Sequence, residues 1–196
     1  SGKSTQIKRL LTRLDLLGKE TLYVREPGGT AMSERVRDIL LDPSLDIHPF
    51  AEMLLFSAAR AQLVKEKISP FHARGGIVVC DRFFDSTIAY QGGGRGVAEP
   101  SWLESFQLEV TGGVIPDRTY FVDITTETAE SRLNIRFGEE KAADRMEQAG
   151  GAFFERVRNA YLTLAERHSE RVCIIDGSGT ENEVENAIWE DLSLYL

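Results

Sequence analysis

The chain has 196 residues, a length typical of one domain with a sizeable hydrophobic core. Its hydrophobic share of 42% and aromatic share of 9% exclude an intrinsically disordered chain. The formal net charge of −8 argues against a surface devoted to nucleic acid, although a few local arginines are enough to bind a nucleotide.

The first element is a short motif followed by a helix. Ser1–Thr5 (SGKST) matches the second half of the P-loop pattern G-x-x-x-x-G-K-[ST]. In a P-loop, backbone N–H groups bind phosphates, the Lys reaches the β- and γ-phosphates, and the Ser or Thr hydroxyl binds Mg²⁺. A helix is predicted over Thr5–Leu17, with one apolar stripe formed by Ile7, Leu10, Leu11, Leu14 and Leu17. A helix at this position favours the P-loop interpretation over a chance match.

The rest of the chain alternates between strand and helix patterns. This order predicts a single α/β domain over residues 1–196, with a parallel sheet and helices on both faces. Strands are predicted at Thr21–Arg25, Ile77–Cys80, Thr119–Ile124 and Val172–Ile175. Helices are predicted at Ser33–Leu41, Phe50–His72, Trp102–Val110, Thr126–Ile135, Ala152–Arg167 and Glu181–Leu196. A further helical segment ends at Tyr90.

Two segments between these elements are predicted to be loops. Gln91–Gly96 is rich in glycine and follows the helical segment directly. Phe137–Gly151 is polar, charged and flanked by glycines, which is typical of a mobile loop, and a lid segment is therefore predicted at about residues 136–150.

The cysteines and the hydropathy pattern indicate the cellular compartment of the protein. Cys80 and Cys173 each lie in an apolar run, which is typical of buried strand thiols in a reducing compartment. The chain has no signal-peptide pattern and no apolar run of about 18 residues. These features predict a cytoplasmic protein without a membrane span.

Polar residues follow three of the predicted strands directly. Arg25-Glu26, Asp81-Arg82 and Asp176-Gly177 each stand where an apolar run ends. Ligands of parallel α/β sheets bind at the carboxyl ends of the strands. The sequence therefore predicts one site at this edge, beside the P-loop.

Two residues of that edge suit phosphoryl transfer, which needs positioning and neutralisation of charge. Asp81 stands where a Walker-B-type carboxylate holds Mg²⁺ through water; the alternative is a helix cap. Arg82 can donate two hydrogen bonds to a phosphate; the alternative is a surface ion pair.

A second group suggests an acceptor pocket. Phe56 and Arg60 are four residues apart on a predicted helix and share a face, so a ring could stack on a base whose edge the Arg contacts. Taken alone, Phe56 is more typical of a core and Arg60 of a solvated charge. The predicted lid carries positive charge that could hold a triphosphate, or could be a solvated face with its acidic neighbours; these cations are Arg132, Arg136, Lys141 and Arg145.

Several blocks together resemble the bacterial thymidylate kinase family. They are REPGGT (residues 25–30), LLFSAAR (54–60), DRFFDSTIAYQGGGRG (81–96) and DRME (144–147), in the family's order and spacing. The third block is highly specific, whereas the P-loop remnant is shared by many nucleotide enzymes. The resemblance covers essentially the whole chain and implies the three-layer P-loop NTPase fold, a homodimer, and MgATP-dependent phosphorylation of dTMP to dTDP.

The resemblance also implies roles for individual residues. ATP phosphates and Mg²⁺ would be bound by the P-loop residues Ser1, Gly2, Lys3, Ser4 and Thr5, with Asp81 at the metal. Arg136 would be the lid arginine on the ATP phosphates, and Lys3, Arg82 and Arg136 would be the catalytic residues. The dTMP site would be formed by Arg25, Glu26, Pro27, Arg37, Phe56, Arg60, Arg82, Thr87, Tyr90 and Gln91.

The chain departs from the family pattern in two respects. Phe83 replaces the commoner Tyr or His after Asp81-Arg82, which removes one hydrogen-bonding group. The strand and first glycine expected before a P-loop are not in the printed sequence, and we expect the natural protein to have them. A kinase for another nucleotide and a non-catalytic nucleotide-binding module stay open as alternatives.

Overall fold

Four short strands form two parallel pairs. A computed structural model describes residues 2–129, 131, 145 and 150–196. Strand β1 (Thr21–Arg25) pairs with β2 (Ile77–Asp81), so that Arg25 lies beside Asp81. Strand β3 (Thr119–Asp123) pairs with β4 (Val172–Asp176), so that Asp123 lies beside Asp176. The parallel α/β architecture is confirmed, and among the described residues the strands form two separate pairs.

Helices connect and flank the strands. In chain order they are α1 (Lys3–Leu16), α2 (Ala31–Leu41), α3 (Pro49–Leu63), α4 (Ser69–His72), α5 (Phe84–Thr87), α6 (Pro100–Thr111), α7 (Gly151–Arg167) and α8 (Glu181–Leu192). Residues 126–129 and 131 are also helical, where the sequence predicts the start of a helix. No helix of the described residues is long and apolar enough to cross a membrane.

The predicted helix over Phe50–His72 is present but contains one wide turn. Val64–Ile68 forms a π-helical turn between α3 and α4. Pro70 has no N–H to donate to the carbonyl group four residues earlier, and its ring would clash with that carbonyl in a regular α-helix. A π-type turn is a known way to accommodate such an interruption.

The prediction of a loop at Gln91–Gly96 is wrong for its first part. Ile88–Gly94 forms a π-helical segment that packs against α7. A Cβ atom on Gly93 would come within 2.5 Å of the Ala160 Cβ, and one on Gly94 within 2.5 Å of the Phe153 ring. These glycines therefore permit close helix packing and do not mark a flexible loop.

Apolar residues join the strand pairs to the helices. The main cluster surrounds β1 and β2 and includes Val24, Met53, Leu63 and Leu103. A second cluster packs β3 and β4 against α8 through Val122, Ile175, Val184 and Ile188. On α1, Leu14 of the predicted stripe is fully buried, whereas Leu17 beyond the helix is 55% exposed.

Polar contacts link the two halves of the molecule. Arg171, just before β4, donates to both carboxylate oxygens of Asp85 in α5, at 2.8 Å each. The Thr119 hydroxyl of β3 donates to the same carboxylate at 2.9 Å. Asp85 follows Arg82 by three residues, so this buried ion pair anchors the turn that carries a candidate catalytic arginine.

Candidate active site

The P-loop remnant opens α1. Gly2 has φ 78°, in the left-handed region that favours glycine, and its carbonyl group accepts from the Thr5 and Gln6 amides at 3.0 and 3.3 Å. Lys3 and Ser4 stand in the first turn, where backbone N–H groups and the helix dipole favour anions. Ser1 lies outside the described residues. The start of α1 therefore has the backbone of an anion-binding turn.

A cavity of about 340 Å³ adjoins this turn. It lies between the start of α1 and the loop from β4 to α8, and it is lined by Gly2, Thr5, Gln6, Gly177, Gly179, Thr180, Glu181 and Val184. The Gln6 side chain donates to the Glu181 carbonyl at 3.0 Å and so ties the two walls together. A cavity of this size is within the usual range for small-molecule sites.

Asp81 and Arg82 come directly after β2, as the sequence predicts. The Oδ1 atom of Asp81 is buried and has no hydrogen-bond partner among the described residues. A buried carboxylate oxygen without a donor suits a cation or its bound water, since Mg²⁺ prefers oxygen ligands. No group of three or more acidic, histidine or cysteine side chains that could hold a metal is present in the described ranges. The single carboxylate of Asp81 is a ligand type that suits Mg²⁺, which usually takes one or two carboxylates beside substrate phosphates and water.

Arg82 has an unusual backbone and an aromatic partner. Its φ of 73° places a non-glycine residue in the left-handed region, which is typical of a side chain held for function. Its Nη2 donates to the Tyr90 hydroxyl at 2.9 Å, and its guanidinium carbon lies 4.6 Å from the centre of the Tyr90 ring. Tyr90 thus fixes the direction of the arginine side chain.

Arg60 is the centre of a buried polar network. It is 2% exposed, and its Nε and Nη2 donate to the Glu26 carboxylate at 2.9 and 2.7 Å. Nη1 donates to the Thr87 hydroxyl at 2.8 Å and to Gln107 Oε1 at 2.6 Å, while Nη2 also reaches the Phe83 carbonyl at 3.3 Å. All five guanidinium N–H groups are therefore donated to protein acceptors, and a base edge would have to replace one of them.

Glu26 and its neighbours form the other side of the network. Burial raises the pKa of Glu26, and the charge and hydrogen bonds of Arg60 oppose that shift. Glu26 is followed by Pro27 through a cis peptide bond, and Arg37 donates to the Pro27 carbonyl at 3.0 Å. Arg25 pairs with Glu34 at 3.0 Å. The loop after β1 is thus held by side chains of α2 and α3.

Phe56 and Gln91 complete the predicted acceptor residues. Phe56 is half-buried on α3 and packs beside Val36, Leu40 and Ala59. Gln91 is 2% exposed in the π-helical segment and donates from Nε2 to Glu52 Oε1 at 2.9 Å. The ring of Phe83 is buried below Arg60, whose guanidinium carbon lies 5.7 Å from the ring centre.

Glu52 and Gln107 belong to this polar region but are not identified from the sequence. Glu52 is fully buried on α3, and Gln107 on α6 accepts from Arg60 and donates to the Ser57 hydroxyl at 2.9 Å. Glu52 precedes Phe56 and Arg60 at spacings of four and eight, so helical periodicity could have placed it on their face. Gln107 is far from them in sequence and carries no such signal.

The structure brings the predicted acceptor residues together from four separate segments. Arg60 contacts both Glu26 and Thr87, and Arg82 contacts Tyr90. Arg136 lies outside the described residues, as do Arg132, Lys141 and most of the predicted lid. Arg145, the described cation of that segment, donates to the Leu40 carbonyl at 3.0 Å and pairs with Glu52.

Comparison with known proteins identifies relatives of this chain. The family model described as thymidylate kinase matches residues 1–188. The thymidylate kinase of Deinococcus radiodurans is 43% identical over 193 residues, covering 98% of this chain and 91% of the relative. That of Chlorobium chlorochromatii is 45% identical over 185 residues, with 91% and 83% covered. That of Thermosipho africanus is 46% identical over 186 residues, with 94% and 88% covered.

Proposed function

The chain belongs to the thymidylate kinase family, and from this premise we propose that it transfers the γ-phosphoryl group of MgATP to dTMP, giving dTDP and ADP. Membership makes it a nucleoside monophosphate kinase with the P-loop NTPase fold. The proposal rests above all on one observation: Glu26, Arg60 and Thr87, remote in sequence, form one buried network that also includes the carbonyl group of Phe83, directly after Arg82.

The donor side of the reaction is supported by the start of α1. Lys3 and the N–H groups of the first turn would bind and orient the ATP phosphates, and the cavity of about 340 Å³ beside them would hold the rest of the nucleotide. Ser4 and Asp81 would hold Mg²⁺, and the orphaned Oδ1 of Asp81 supports that role. When bound, Mg²⁺ neutralises charge on the phosphate oxygens during transfer.

The acceptor side positions the phosphate of dTMP for in-line attack. Arg82, held by Tyr90, and Arg37, near Pro27, would bind the acceptor phosphate. A guanidinium can donate two parallel bonds to a phosphate, which fixes its orientation as well as its charge. We assign the lid contact with the ATP phosphates to Arg136, and Arg25 to the wall of the acceptor site.

The base would be enclosed by groups from three segments. Phe56 would stack on thymine, while Arg60, Thr87 and Gln91 would surround its polar edge. The thymine methyl group is worth only about 1–3 kcal/mol in a hydrophobic pocket, so dUMP is expected to be a poor but real substrate. Cytosine presents a donor where thymine presents an acceptor, so dCMP is expected to be rejected more strongly.

The proposal is tested by ADP release from MgATP with dTMP, dUMP, dCMP, AMP and GMP as separate acceptors. We expect a rate with dTMP well above the others, lost in Lys3→Ala because the P-loop charge is removed. A matched control is Lys65→Ala, which removes an exposed lysine remote in sequence from the P-loop. A purine nucleotide preferred over dTMP would indicate another monophosphate kinase, and no turnover with any acceptor would indicate a binding module.

We also propose that the enzyme is a cytoplasmic homodimer. Exposed apolar side chains on two helices support a helix-based interface: Phe50 and Leu54, four residues apart on α3, are 42% and 43% exposed, and Trp102 on α6 is 45% exposed. Analytical ultracentrifugation at micromolar concentration is expected to give twice the 21.9 kDa mass of the chain. A single 21.9 kDa species would exclude the dimer.

A further inference from the structure

Glu52 is a fully buried carboxylate at the border of the proposed acceptor pocket. It lies on α3, one helical turn before Phe56, and is 0% exposed. Its Oε1 accepts from Gln91 Nε2 at 2.9 Å and from Arg95 Nε at 3.4 Å. Its Oε2 pairs with Arg95 Nη2 at 3.3 Å and also with Arg145. A buried charge of this kind is tolerated because it is paired and hydrogen-bonded.

The carboxylate leaves the Gln91 amide only one favourable orientation. A carboxylate can only accept hydrogen bonds, so the NH₂ group of Gln91, and not its carbonyl oxygen, must face Glu52. Turning the amide over would bring Oε1 against a carboxylate oxygen at a separation of about 2.9 Å. The carbonyl oxygen of Gln91 is therefore directed away from Glu52. No described residue donates to that oxygen, and it is not among the buried unpaired atoms of the described ranges.

We propose that Glu52 is a positioning residue that sets base specificity by holding Gln91 as a hydrogen-bond acceptor toward the base. The inference rests on the proposed function. Thymine and uracil carry a donor at N3, whereas cytosine carries an unprotonated N3 that is an acceptor. A Gln91 oxygen held in this direction accepts a hydrogen bond from N3–H of thymine or uracil and repels the N3 lone pair of cytosine. Glu52 thus affects the choice between bases that it does not touch.

Arg95 and Arg145 support this role by balancing the charge of Glu52. The Arg95 guanidinium also lies 4.8 Å from the Phe153 ring centre, and Arg145 also donates to the Leu40 carbonyl. Both arginines are thus held by further contacts, and together they fix the position of the carboxylate that accepts from Gln91.

The test replaces Glu52 by glutamine, which has nearly the same shape. In Glu52→Gln the new side chain can donate as well as accept, so Gln91 is free to turn over. We expect the ratio of kcat/KM for dTMP to that for dCMP to fall by about tenfold or more, because a polar mismatch is relieved. The ratio for dTMP to dUMP is expected to stay unchanged, because both bases carry the N3 donor. A merely structural role would lower all three rates together.

The chain offers a matched control on the continuation of the same helix. Gln62 Nε2 donates to Glu66 Oε2 at 2.9 Å in an exposed position, so Glu66→Gln makes the same chemical change away from the pocket. All rate ratios are expected to be unchanged in Glu66→Gln. In the double variant Glu52→Gln/Gln91→Glu, the new amide at position 52 donates and the new carboxylate at position 91 can only accept. This variant is therefore expected to recover the preference for dTMP over dCMP.

A second measurement needs no variant that could fail to fold. In wild-type protein carrying ¹⁵N-glutamine, the side-chain NH₂ protons of Gln91 are expected to exchange with water far more slowly than those of exposed Gln62, before and after dTMP is added. Exchange as fast as for Gln62 would overturn the inference, as would an unchanged dTMP-to-dCMP ratio in folded Glu52→Gln. Failure of the wild-type enzyme to use dTMP would instead overturn the proposed function, and the inference with it.

Discussion

Replacing Arg60 with lysine tests the buried network most severely, because it keeps the charge and removes the planar donor group. Arg60 donates to Glu26, Thr87, Gln107 and the Phe83 carbonyl, whereas a lysine ammonium has only three N–H groups on one atom. It cannot span acceptors on opposite sides of the guanidinium. The Thr87 hydroxyl is itself able to donate elsewhere, but Gln107 Oε1 and part of the Glu26 carboxylate would be left buried without a donor.

The size of the effect follows from the number of acceptors lost. Each buried polar group left unsatisfied costs about 1–3 kcal/mol, and charged groups cost more. For two such groups the free energy of unfolding should fall by about 3–5 kcal/mol, a large share of the ~5–15 kcal/mol typical of a domain. At about 2–4 °C per kcal/mol for a chain of this size, the melting temperature should fall by about 10 °C.

Urea and thermal unfolding of wild type and Arg60→Lys measure this cost. The matched control is Arg74→Lys, since Arg74 forms an exposed ion pair with Glu20 at 2.7 Å and lies over the Phe71 ring. An exposed pair is worth about 0–1 kcal/mol, so the control should lose no more than that. The dTMP kcat/KM should also fall in Arg60→Lys while the KM for ATP is nearly unchanged. If Arg60→Lys were as stable as the control, the network would not have the energetic role argued for it.

Three further perturbations test other parts of the molecule. The hydrogen bonds from Arg118 depress the pKa of Asp191 despite its partial burial, and Tyr120 donates a further bond to it. This carboxylate therefore stabilises the fold above its unfolded pKa of about 3.9 and loses that contribution as pH falls through its folded pKa. The stability deficit of Asp191→Asn in urea unfolding should accordingly shrink below about pH 4, and a deficit independent of pH would contradict this role. Burial raises the pKa of Cys80 to about 12, so in a Cys173→Ser background its labelling by iodoacetamide at pH 8 should be roughly a thousandfold slower than in the unfolded chain, and comparable rates would contradict that burial. Gly93→Ala should lower stability by about 1–3 kcal/mol because its Cβ would meet that of Ala160, and a double-mutant cycle with Ala160→Gly should be non-additive if this contact is the cause.

Local patterns were sufficient to predict the four described strands and most of the described helices. The apolar run Ile77–Cys80 is a strand, and its polar exit at Asp81-Arg82 lies beside Arg25, because parallel strands end at one edge. The REPGGT and DRFFDSTIAYQGGGRG blocks carried the resemblance that the family comparison confirms. These features depend on residues near one another in sequence, and short-range periodicity reports on them.

The partners of individual side chains could not be predicted in the same way. Glycines 92–94 suggested a loop, but their neighbours are Leu103, Phe153 and Ala160, which the sequence does not place beside them. Arg60 was expected to contact the edge of a base, and only the fold reveals that Gln107 and Glu26 already accept its N–H groups. Roles assigned to Lys3, Arg82 and Arg136 stay predictions, because they concern contacts with substrates.

The most direct test of the central claim is the fate of the γ-phosphoryl group. With [γ-³²P]ATP, Mg²⁺ and dTMP, the label is expected to appear in dTDP, with little inorganic phosphate, because a kinase site transfers phosphoryl groups while excluding water. Label found only in inorganic phosphate, at a rate independent of dTMP, would contradict the assignment and indicate a nucleotide hydrolase.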